Sequence, residues 1–211
     1  MHARTHGDGD RTALKVSTTA ATEPAGEDSE VAEPADQPVV FVGGMEHHSN
    51  LLVWRDSNAT VVEVASDAYG RVQLDRLEEQ LRLHQHRRVK IGSFSAASNV
   101  TGIMENVDAV TALLHKHGAL AFWDYAAAAP HTRIDMNPPA TDAAKDAVFF
   151  SPHKFPGGPG TPGVLVVKKR LLANAVPSGC PAALAFIFLF IYRCLFFFIL
   201  VQIPGAARCS T

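Results

Sequence analysis

FFSPHKFPGGPGTPGVLVV, residues 149–167, decides how the chain folds. The apolar runs Ala147 to Phe150 and Val164 to Val167 are each short enough for a buried strand, and turn residues bound both. Between them, the glycines and prolines of residues 156–163 can continue neither a helix nor a strand. Ser151, His153 and Lys154 therefore stand at a strand end, beside backbone that can approach a ligand closely. A hydroxyl, an imidazole and an amine in that setting suit an anionic group and an aldehyde.

Working outward, further strands are expected at Val39 to Val42, Thr60 to Val64, Val89 to Phe94 and Leu120 to Trp123. Helical stripes fall between them: Leu74, Leu77 and Leu81 form one, and Val107, Val110, Leu113 and Leu114 another. This alternation predicts an α/β fold with a mostly parallel sheet layered with helices, whose ligands collect at the C-terminal ends of the strands. Polar clusters lie at three such ends: Ser95 to Asn99, Asp124, and Ser151 to Lys154.

The globular segment is expected over residues 37–177. Residues 1–36 hold almost no large apolar side chains, so burial cannot offset their ordering entropy, and they read as a disordered leader. Residues 178–211 form an apolar tail. Within it, 184–203 (LAFIFLFIYRCLFFFILVQI) carries one charge, Arg193, and matches a bilayer span in length. Its many Leu, Ile, Phe and Val residues outweigh one central arginine in the balance of insertion, so the expectation here is either an apolar C-terminal helix able to cross a membrane or a misassembled coding sequence.

The net charge of −2 offers no basic stripe, which argues against nucleic acid as a partner. The three cysteines form no Cys-x-x-Cys pair and leave an odd count, which suits a reducing, cytoplasmic compartment unless the tail anchors the chain. No metal site is expected. His84 and His86, like His115 and His117, are two apart on predicted helices and so point to different faces.

SPHKFPGGPGTPGVLVV resembles the Ser-x-His-Lys and glycine-rich segment of class V aminotransferases and cysteine desulfurases, a family of pyridoxal-phosphate enzymes with the fold-type-I large domain. Three other stretches resemble the same family in the same order: MEHHSNLLVW (45–54), SAASNVTG (95–102) and AFWDYAAAAPH (121–131). The resemblance runs from about Val39 to Pro177. It implies that Lys154 forms a Schiff base with pyridoxal 5'-phosphate, and that Ser151 and His153 hold the phosphate. It also implies that Asp124 pairs with the pyridine nitrogen, that His47 stacks on the ring, and that Asn99 faces the cofactor or the substrate carboxylate. An amino acid substrate and a homodimer are implied with them. Each residue also has an ordinary structural use: a lysine in a surface turn, an aspartate cap, a hydrogen-bonded loop histidine or asparagine.

The sequence departs from the family pattern at Ala127, where many desulfurase relatives have a glutamine. It also has no counterpart to the upstream phosphate-binding loop, or to the small domain that supplies an arginine and, in desulfurases, the catalytic cysteine. A partial, truncated large domain is expected on that ground. The competing expectation is a catalytically inactive, membrane-associated remnant of such an enzyme.

Overall fold

The computed structural model describes residues 35–139, 141–172 and 198–203. The chain runs β1 (Val39–Gly43), α1 (His48–Arg55), β2 (Thr60–Val64), α2 (Leu74–Leu83), β3 (Lys90–Ser95), α3 (Val107–Lys116), β4 (Leu120–Asp124), β5 (Ala147–Phe150), β6 (Gly163–Lys168) and β7 (Phe198–Ile203). These strands form one sheet in the order β2-β1-β3-β4-β5-β6-β7. The first five are mutually parallel, whereas β6 runs antiparallel to β5 and β7 runs parallel to β6. The expected α/β architecture with a mostly parallel sheet is the one found.

The two faces of the sheet can be read along β1. Val39 and Phe41 point into a core shared with Leu77 and Leu81 of α2 and with Val110 and Leu114 of α3. Val40 and Val42 point the other way, into a core shared with Trp54 of α1. This is the period of two that a strand buried on both sides must show. It also fits right-handed crossovers, because the step from β1 to β2 moves one way along the sheet and every later step among the parallel strands moves the other. Leu77, Leu81 and Leu114 are fully buried, each contributing about 1.5–3 kcal/mol of apolar burial. Gly92 lets α3 approach closely, since a Cβ there would lie 2.5 Å from Leu114 Cδ1.

Three features add to the expectations or depart from them. Among its described residues the link from β4 to β5 holds one 3-10 turn, Thr141–Ala143. The glycine- and proline-rich loop turns the chain back, so β5 and β6 pair antiparallel with Phe149 opposite Leu165. Of the C-terminal helix expected over 184–203, residues 198–203 form a strand on β6, and 184–197 lie outside the described residues. An apolar run without a period fits a strand as well as a helix, and here the open edge of β6 supplies the partner. Among the described residues no helix is long and apolar enough to cross a membrane. The leader expected over 1–36 falls outside the described residues except for its last two positions. There Ala35 accepts a hydrogen bond from the Arg88 amide, and Asp36 pairs with Arg88 at 2.9 Å.

The N-terminal edge of the sheet is closed by ion pairs. Asp146, fully buried just before β5, takes the His115 imidazole at 2.9 Å, the Ala121 amide and the Arg170 guanidinium. Asp146 is thus held on three sides at this edge.

Candidate active site

Parallel register brings the predicted residues to one edge. Ser95 ends β3 directly opposite Asp124, which ends β4, and Asp124 in turn faces Phe149 on β5, two residues before Ser151. Three successive strands thus end side by side, with a polar group at the last ladder position of β3 and of β4 and just past the end of β5.

Asp124 is 6% exposed. Its Oδ1 accepts the Ala126 amide at 2.7 Å, which shapes the turn after β4. Burial lifts the carboxyl above its ordinary range, while the Ala126 hydrogen bond and then the charges of Lys154 and His47 pull it back. The carboxylate therefore feels the charge of an amine from the turn after β5 and of an imidazole from the turn after β1.

Lys154 stands exposed at the end of the 3-10 turn Pro152–Lys154, where its amide bonds the Ser151 carbonyl. Ser151 precedes that turn in extended conformation, and its hydroxyl makes no capping bond. His153 is half-buried within it. The following loop folds tightly over this turn. A Cβ at Gly158 would lie 2.0 Å from the Pro152 carbonyl oxygen, and Gly157 and Gly160 adopt φ of +75° and +83°. Only glycine permits that close approach and those left-handed turns at low cost.

His47 caps α1, and its Nδ1 accepts the Ser49 amide at 3.1 Å and lies 2.7 Å from the Ser49 hydroxyl. An acceptor at Nδ1 puts the ring proton of the neutral imidazole on Nε2. His47 itself is exposed. Asn99 is exposed in the turn that follows β3. Ser98, its buried neighbour, holds that turn by accepting the Val100 and Thr101 amides.

Sequence reasoning missed Glu46. Its carboxylate accepts from the Gly43 amide at 3.3 Å, the Ser95 amide at 3.0 Å, the Ser95 hydroxyl at 2.7 Å and the Asn50 side-chain amide at 2.7 Å. Asn50 is itself buried and exchanges bonds with Ser93. Burial raises the Glu46 carboxyl above its usual range, the Ser95 and Asn50 hydrogen bonds lower it, and the charge of Asp124 raises it further. The available signal was its place in the MEHHSNLLVW stretch, at a strand end between Gly43-Gly44 and His47-His48.

Similarities to known proteins agree with this geometry. The model of the family described as Aminotransferase class-V matches residues 18–182, and the chain belongs to that family. It is 30% identical over 142 residues to a probable cysteine desulfurase of Halalkalibacterium halodurans, covering 65% of this chain and 33% of that protein. A probable cysteine desulfurase of Staphylococcus epidermidis is 32% identical, covering 65% of this chain and 32% of that protein. The chain spans about a third of the length of these curated relatives. Among solved structures, a NifS-like protein from Rickettsia africae shares the fold with a TM-score of 0.50 at 20% identity, over 57% of this chain and 31% of that one.

Proposed function

We propose that this segment binds pyridoxal 5'-phosphate and acts on an amino acid, with Lys154 as the covalent attachment point. The observation that carries the reading is the convergence on Asp124. Lys154 and His47, from two different turns, both reach its buried carboxylate electrostatically. Each of the three lies in a different family motif, and membership in the family supports the same reading.

The donor set fits the cofactor. A carboxylate that is buried and carries little hydrogen bonding of its own is suited to a cationic ring nitrogen, because only an ionic partner offsets its desolvation. Ser151 and His153 would hold the phosphate group, beside a loop in which Gly157 and Gly160 leave open space. His47 would lie over the ring, and Asn99 would face the ring or the substrate carboxylate. When bound, pyridoxal phosphate supplies an electron sink for the bond broken at the substrate α-carbon. The chain's own part is to orient that group. Asp124 would keep a proton at the ring nitrogen, and Lys154 Nζ would hold or move a proton beside it. The relatives named as probable cysteine desulfurases make a sulfur-bearing amino acid one candidate substrate.

The test is absorbance of the purified chain titrated with pyridoxal phosphate. A visible band abolished by borohydride is the expected result. Its absence from wild-type protein that is shown to be folded would remove the cofactor from this reading.

A further inference from the structure

The sheet reverses its winding between β1 and β3, since the chain leaves β1 toward β2 and then returns past it to β3. Open α/β sheets have a crevice at such a point, between the loops that leave the two strands. Glu46 lies there and joins both sides. On the β1 side its Oε1 takes the Gly43 amide, and on the β3 side the two oxygens take the amide and hydroxyl of Ser95. The Asn50 amide from α1 adds a fourth donor, so Oε1 and Oε2 each accept two hydrogen bonds.

A carboxylate has about four lone-pair positions. All four are occupied here, and three of the donors are N–H groups that cannot accept in return. Every lone-pair position is thus engaged within the fold, which fits a structural tie better than a direct acid–base role. Its place in the chain suggests another role, because it immediately precedes His47 and is bonded to the residue in register with Asp124.

We propose that Glu46 is a positioning residue, whose carboxylate fastens the turn carrying His47 to the end of β3 and so holds the His47 ring beside Asp124. This rests on the pyridoxal-phosphate reading above. The ring is then fixed at two places: through the backbone by Glu46, and through Nδ1 by the Ser49 amide. A ring that must lie flat over a planar cofactor needs both constraints. Ser95 carries the tie on the β3 side and is a positioning residue of the same kind.

Glu46→Gln tests the proposal, because it preserves shape but turns an NH2 group toward donors. Glu46→Asp and Ser95→Ala serve as milder variants should the glutamine protein fail to fold. In the cofactor-free full-length chain, amide hydrogen exchange at Gly43 and Ser95 should quicken at least about tenfold, while Ala121 and Trp123 in β4 keep their protection. With pyridoxal phosphate added, the dissociation constant should rise about tenfold. The pH midpoint of the visible band should move down as a neighbouring negative charge is lost, with Glu46→Asp closer to wild type on both measures. Unchanged exchange at Gly43 and Ser95 would overturn the tie. Faster exchange with wild-type cofactor affinity and an unmoved midpoint would overturn the positioning role and leave Glu46 a purely structural link. A wild-type chain that takes up no cofactor would instead overturn the reading on which the role rests, whatever the exchange shows.

Discussion

Asp124 ends β4 and Lys154 closes the 3-10 turn that follows the neighbouring strand β5, the first residue buried and the second exposed, and the charge of the second pulls on the titration of the first. An exposed lysine contributes little to packing, so its removal should separate chemistry from stability. Lys154→Ala is expected to abolish the borohydride-sensitive visible band while moving unfolding free energy by no more than about 0.5 kcal/mol. Absorbance and urea unfolding of the same preparation measure both.

Asp124→Asn should act the other way. A carboxyl raised above its usual 3.8 by burial binds its proton more tightly in the folded chain than in the unfolded one. Its contribution to stability is therefore present at low pH and is lost as pH rises through the raised value. The asparagine variant should flatten that part of the slope and stabilise the cofactor-free chain at neutral pH by about 0.5–2 kcal/mol, at the expense of cofactor binding. Glu46, raised in the same direction, keeps its own share of the slope. Urea unfolding across the acid and neutral range gives the comparison.

The two glycines after Lys154 should respond differently to alanine. At Gly158 the new Cβ would meet the Pro152 carbonyl at 2.0 Å, so the turn carrying Lys154 must move, and cofactor affinity should fall together with stability. At Gly157 space is open and only the φ of +75° resists, at about 1–2 kcal/mol. Cofactor titration of Gly158→Ala should show the larger loss of affinity. Equal losses would show that the close approach does not matter.

Away from the site, Glu78 joins α2 to α3. Hydrogen bonds from Lys116 and His117, with Arg82 nearby, hold its carboxyl down to about 2 from the usual 4.5. A depressed acid stabilises the fold above its unfolded value and loses that contribution as pH falls toward the folded one. Glu78→Gln should accordingly make the chain less sensitive to acid between those two values, as followed by circular dichroism.

Much of the site was legible because it depends on strand ends. Short apolar runs closed by Asp124 or by Ser151-Pro152-His153-Lys154 place polar groups at one edge of a parallel sheet, whatever the helices do. Glu46 was not legible in that way. Its role is set by Ser95, 49 residues further along, and no local pattern announces a contact of that span. The strand at 198–203 was hidden for a related reason: composition favoured insertion, but an unpaired neighbour decided the pairing. The irregular link from β4 to β5 follows from Pro130, Pro138 and Pro139, which interrupt any long helix there.

The reversal in strand order has one more consequence. Where such sheets commonly leave a mouth, this chain has a plug of its own making, and the hollow lined by Gly43, Glu46, Ser95 and Glu105 holds only about 20 Å³, room for a single water. The gap between the first and third strands is thereby left too small for anything larger than water.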